Sequence, residues 1–301
     1  MRHDCRTLAA GVPQDLQRTL DEQLDLAYSR MPSCSPKDSY DWRKLYTDFS
    51  LAFAVSVLQT HPTAPAAWQD VIFKLDKAVV LAGAPGKGRY ELVMEIISAI
   101  QMQHLLTTTR TSDGRHLLVD YEPSPPPLAI TTAGSQIIRT YDPPSFTSFV
   151  SHFSKRPFVL PGFAKDWPAL NKHSWSSITY LQSIAGPARQ VPVEVGADYR
   201  TDEWTQRLME WDSFLSALER PSRSDEVVYL AQHDLFKQFP ALLDDIIVPD
   251  YVYTSLEASI DYPEYTPPLN SDQLVMNVWL GPKGAISPAH TDPFHNFYSK
   301  A

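Results

Sequence analysis

The run "PSPPPLAITTAG" at residues 123–134 constrains this chain more than any other stretch. Consecutive prolines fix φ and remove amide donors, so neither a helix nor a central strand can pass through it. The chain is therefore expected to fold from what lies on either side. A first region covers residues 1–119, a proline-rich linker 120–136, and a second region 137–301.

The two sides differ in hydrophobic period. "DLQRTLDEQLDLAY" (15–28) places Leu16, Leu20, Leu24 and Ala27 on one helical face. Residues 40–59, 66–83 and 89–105 repeat that period, with Gly83 as a stop, and predict four amphipathic helices. The intervening "GAPGKGR" (83–89) has a glycine where a phosphate-binding loop needs Ser or Thr after the lysine, and it reads as a turn between helices. Beyond the linker, strands are predicted over 156–162, 189–196 and 226–236, and helices over 174–186 and 201–218. Residues 273–282 and 286–298 predict a hairpin around "GPKG". The fold class that follows is α+β, a helical region ahead of a strand-rich one.

Composition excludes several functions. The formal net charge is −9, which argues against direct binding of nucleic acid through a basic surface and suits a basic partner. The longest apolar stretch, residues 49–58, is too short to span a bilayer, so no membrane partner is expected. Cys5 and Cys34 make neither a disulfide framework nor a zinc spacing, and charges interrupt the first 24 residues where a signal core would lie. The expectation is an intracellular protein of the nucleus or cytoplasm.

The chemistry concentrates in "ISPAHTDPFHN" (286–296). On a strand, His290 and Asp292 would share a face, because side chains two apart point the same way. An imidazole and a carboxylate so placed begin the facial triad that holds Fe(II). A second reading adds His295 to the pair as a Zn²⁺ hydrolase site, although an odd offset turns that side chain away on a regular strand.

"NVWLGPKGAISPAHTDPFHNF" (277–297) resembles the first metal-binding hairpin of the JmjC (Jumonji C) oxygenases. The runs "VPVEVGADYRTDEW" and "VVYLAQHDLFKQFPALLDDIIVPDY" resemble the same family, so the likeness covers about residues 139–297. It implies a cupin-type double-stranded β-helix that uses Fe(II), 2-oxoglutarate and O₂ to oxidise a protein side chain. By position it makes His290 and Asp292 metal ligands, and Tyr229, Ser287 and Asn296 contacts to 2-oxoglutarate. It puts Glu194, Tyr199, Gln232 and Trp279 around a basic substrate side chain. The implied substrate is an Arg- or Lys-containing protein or peptide, a histone among them, and the implied reaction is arginyl hydroxylation or methyl-lysine demethylation. The family's later His ligand and its co-substrate Lys have no counterpart after Phe297. The resemblance thus implies a C-terminally truncated barrel, inactive as it stands, with a non-catalytic protein-binding module as the competing reading.

Overall fold

The computed structural model describes residues 14–33, 35–60, 64–105, 138–139, 142–154, 157–196, 200, 204–219, 227–254, 274–282, 285–287, 290, 292 and 295–299. The linker at 120–136 and Tyr199 lie outside these residues. None of the described helices is long and apolar enough to cross a membrane.

The first region is a layer of four helices: α1 (Gln14–Arg30), α2 (Pro36–Thr60), α3 (Pro65–Val80) and α4 (Arg89–Ile100), the last continuing as one wider turn through Leu105. Ser35 starts α2 by accepting the Asp38 amide while its hydroxyl donates to the Asp38 carboxylate. Pro65 opens α3 at a position where its missing N–H costs nothing. Along α1, Leu20, Leu24 and Ala27 are buried as the period predicts, whereas Leu16 is 40% exposed. Gln17 bonds Thr60, the last residue of α2, so Leu16 sits where its neighbour ends. The core of this layer is Phe53, Val57, Trp68, Ile72, Leu75 and Ile97. Between α3 and α4, Gly83, Gly86 and Gly88 all have positive φ, and the segment is the expected turn.

The second region begins with β1 (Ile138–Arg139), α5 (Phe146–Ser148) with a following wider turn to Phe153, and β2 (Phe158–Val159), which pairs with β1 in parallel. Then come α6 (Ile178–Ala185), β3 (Gln190–Val195), β4 (Thr205–Glu210), α7 (Trp211–Glu219), β5 (Val228–His233), α8 (Leu235–Gln238) and β6 (Val278–Leu280). Four of these strands form one antiparallel sheet in the order β4-β3-β5-β6. α6 and α7 cover one face of it, with Ile178, Val191, Trp211, Phe214, Leu215 and Leu230 at the centre. The α+β expectation holds.

Two elements differ from expectation. Within the helix expected over 201–218, Thr205–Glu210 is a strand and the helix is Trp211–Glu219. All six residues of β4 pair with β3, and that ladder outweighs the helical spacing of Trp204, Leu208 and Trp211. Among the described residues the expected 273–298 hairpin shows only its first strand. β6 pairs with β5, and the described residues from 285 to 299 belong to no strand.

What joins the two regions is polar and buried. Asp76 of α3 is fully buried, and Arg189, just before β3, is 3% exposed. The guanidinium donates to both carboxylate oxygens, with Nη2–Oδ1 at 2.8 Å, and the Gln190 amide donates to Oδ2 at 2.8 Å. Gln238 of α8 donates to Oδ1 at 3.0 Å, and Arg189 lies over the Phe239 ring. Outlying bonds extend the seam: Gln101 donates to the Ala185 and Pro187 carbonyls, and Lys237 to that of Gly83.

Breaking one side of such a pair strands a charge. Asp76→Leu or Arg189→Met alone is expected to cost about 3–5 kcal/mol in urea unfolding. The double variant should recover part of that loss, because two apolar groups then face each other while the Gln190 amide and one Gln238 amide proton still lack their acceptor. Single variants with wild-type midpoints would show the pair to be energetically idle.

Candidate functional site

The sheet face opposite α6 and α7 carries four of the side chains singled out in the sequence: Glu194, Tyr229, Gln232 and Trp279. Strand alternation sends Val191, Val193, Val228 and Leu230 into the core. Glu194 and Tyr229 are direct cross-strand partners, so they share the opposite face. Trp279, at the middle of β6, is 42% exposed while its neighbours Val278 and Leu280 pack on the core. The Glu194 carboxylate accepts a bond from the Trp204 indole at 3.2 Å, which fixes one oxygen. Tyr229 is held by Gly281, where a Cβ would run into the tyrosine ring.

Gln232 reaches this face by an irregularity. Leu230 pairs with Leu280 and His233 with Val278, so Ala231 and Gln232 together oppose Trp279. That is a β-bulge, with one extra residue on β5, and Gln232 sits at φ +50°. Without it, alternation from Leu230 would point Gln232 into the core and His233 outward. With it, Gln232 is exposed, and His233 turns in to meet Gln238 Oε1 at 2.8 Å through Nε2.

The ligand candidates lie on the segment after β6. His290 Nε2 and Asp292 Oδ1 are 3.7 Å apart, and the Asn296 amide donates to Asp292 Oδ2. His290, Asp292, Ser287, His295 and Asn296 are all exposed. The segment is anchored further on, where the Phe297 ring lies 5.8 Å from that of Phe149 and 6.0 Å from that of Tyr251. Tyr298 meets Trp279 edge-on at 6.5 Å. The structure thus brings His290, Asp292 and Asn296 together, though on irregular backbone and not on the expected strand. Among the described residues no three His, Cys, Asp or Glu side chains form a metal-holding cluster, so His290, Asp292 and His295 do not make the hydrolase set.

Sequence reading missed two buried polar centres. One is the chain from His233 through Gln238 to Asp76. The other is Asp245, fully buried, which accepts from His173 Nδ1 at 2.7 Å, Trp175 Nε1 at 2.9 Å and the Tyr180 hydroxyl. No local motif marks either one, because their members are 65–72 residues apart around Asp245 and up to 162 apart around Asp76.

Residues 145–300 match the family described as a cupin-like domain. Lysine-specific demethylase 8 of Danio rerio is 38% identical over 159 residues, which cover 52% of this chain and 36% of that protein. Its namesake in Xenopus tropicalis is 40% identical over 159 residues, 52% of this chain and 32% of that protein. Jumonji C domain-containing protein 5 of Drosophila melanogaster is 38% identical over 179 residues, 58% of this chain and 41% of that protein. The chain thus spans about two-fifths or less of the length of these relatives.

Two outcomes follow from the geometry. Gly281→Ala should displace the Tyr229 ring at a cost of about 1–3 kcal/mol, read as a lowered unfolding midpoint; an unchanged midpoint would mean the ring is free to move. Burial holds the His233 pKa below its ordinary 6.5. The unfolded chain then binds the proton more readily, so this contribution is intact above about pH 6.5 and is lost as pH falls below it. The drop in melting temperature from pH 7.5 to 5.5 should be larger for the wild type than for His233→Gln, and equal drops would contradict the assignment.

Proposed function

The chain belongs to the cupin-like domain family, and on that premise we propose that it serves an Fe(II)- and 2-oxoglutarate-dependent oxygenase of the JmjC type. The observation that carries the reading is the His290–Asp292 pair within the matched residues, its carboxylate steadied by Asn296.

The donor set suits the ion. Imidazole nitrogen and carboxylate oxygen are donors that first-row divalent metals take, and the His290–Asp292 pair offers one of each. One nitrogen and one hard oxygen are also two of the three ligands that non-haem Fe(II) takes in this class. Among the described residues no third His, Cys, Asp or Glu stands beside them. When bound, Fe(II) with 2-oxoglutarate supplies the oxidising power to break a C–H bond with O₂. The chain's own residues bind and orient. His290 and Asp292 would hold the ion, and Asn296 spends an amide proton keeping the carboxylate turned. Tyr229, Ser287 and Asn296 offer hydrogen-bond donors to the carboxylates of 2-oxoglutarate.

The substrate proposed is a basic side chain of a protein, arginyl or methyl-lysyl, with histones among the candidates. The Glu194 carboxylate, already oriented by Trp204, supplies a counter-charge, and Trp279 supplies an exposed aromatic face. Gln232 adds an amide to the same face, and the resemblance alone adds Tyr199, which lies outside the described residues. The names of the relatives, demethylases acting on lysine, support a protein substrate. A nuclear or cytosolic setting belongs to the same proposal and is supported by two cysteines without a disulfide framework.

Mn(II), which O₂ leaves unoxidised, tests the site by calorimetry. The 301-residue chain is expected to bind it weakly, with the heat abolished by His290→Ala or Asp292→Ala. Adding the C-terminal strands of the Danio rerio relative after Phe297 should tighten binding roughly tenfold or more. It should also bring on 2-oxoglutarate turnover with a basic peptide, lost again in Asp292→Ala. Tight binding indifferent to both alanine substitutions would place the metal elsewhere.

A further inference from the structure

The bulge in β5 is linked to the helical layer through Gln238, whose side chain bonds both His233 and Asp76. Asp76 can only accept hydrogen bonds, so Gln238 must present its NH₂ to it. The Gln238 carbonyl oxygen then faces His233, and His233 must carry its proton on Nε2 to donate. The same Gln238 NH₂ group also donates to the Gln190 carbonyl on β3. Every polar atom of the Gln238 side chain is thereby committed, and the side chain is fully buried. His233 is consequently held facing inward, in the register that leaves one extra residue opposite Trp279.

Resting on the oxygenase reading above, we propose that His233 is a positioning residue: by its bond to Gln238, and through it to Asp76 of the helical layer, it fixes the bulge that turns Gln232 onto the open sheet face beside Trp279, where the basic side chain of the substrate is recognised. The backbone at Gln232 supports this, since φ +50° is a conformation a non-glycine residue adopts only when its surroundings hold it there. Charge is arranged to the same end. Asp76 is neutralised by Arg189, so the network carries no net charge toward the site. Glu194, on the shared face, is free to act as the counter-charge. The helical region thus contributes to specificity through the Asp76–Gln238–His233 bonds.

The test has one arm that needs no ligand. In the full chain, the Gln232 backbone amide is followed by ¹⁵N–¹H NMR in wild type, His233→Ala and His233→Gln. Glutamine places an amide nitrogen near the position of Nε2 and should keep the bulge; alanine should not. The expected result is a shifted, faster-exchanging Gln232 amide in His233→Ala, restored in His233→Gln. An undisturbed Gln232 amide in His233→Ala overturns the proposal. Should His233→Ala not fold, Gln238→Leu supplies the same comparison, with the same two outcomes.

The second arm measures affinity for two short peptides, one with a single arginine and one with a single dimethyl-lysine, by calorimetry. Loss of one hydrogen-bonding group should weaken binding of the preferred peptide roughly three- to tenfold in both Gln232→Ala and His233→Ala. The double variant should be no weaker than either single one, because His233 acts through Gln232. Multiplying effects would make His233 a merely structural residue and overturn the proposal. If wild type binds neither peptide while the NMR arm behaves as expected, the substrate reading fails and the bulge device stands.

Discussion

The buried pair Asp76–Arg189 is the interaction on which the rest of this architecture depends. A carboxylate from α3 accepts from the guanidinium, from the backbone at Gln190 and from Gln238, all with no solvent exposure of its own. Desolvating two charges is costly, and the cost is offset only because the remaining lone pairs and protons are also bonded. The geometry therefore has one good solution. It sets the start of β3, the position of α8 and the height of the helical layer over the sheet.

From that anchor the site follows by short steps. β3 carries Glu194 and pairs with Tyr229 on β5. β5 bulges before His233, whose partner Gln238 belongs to the Asp76 cluster. β6 places Trp279 opposite the bulge. Four residues proposed for co-substrate and substrate binding thus share a face whose other side is a packed hydrocarbon core. The proposed ligand pair, His290 and Asp292, is built differently, on irregular backbone tied down by Phe297 against Phe149 and Tyr251.

Much of this was legible in the sequence where the signal was local. The four N-terminal helices show in the spacing of Leu20, Leu24, Phe53, Leu75 and Ile97, because each buries a stripe. The β3 and β5 strands show in alternating Val and Leu. The family is visible in "AHTDPFHNF" together with the strands before it, and the match over residues 145–300 agrees. What stayed hidden is non-local. β4 reads as helix because its ladder with β3 is a tertiary fact. Of the expected hairpin only β6 is a strand among the described residues, and its register is set by the distant β5 and not by the turn after it. His233 reads as one more scattered histidine, since its partner chain ends on a residue 162 positions from Gln238 in sequence.

The central claim, that one buried ionic seam makes helical layer and sheet face a single unit, is tested most directly by native-state hydrogen exchange. Amides of α3 around Leu75 and of β5 around Leu230 are followed as denaturant is raised stepwise below the unfolding transition. The account predicts that both sets open together, with the same free energy and the same denaturant dependence. Opening of the β5 amides at low denaturant while the α3 amides stay protected would contradict it.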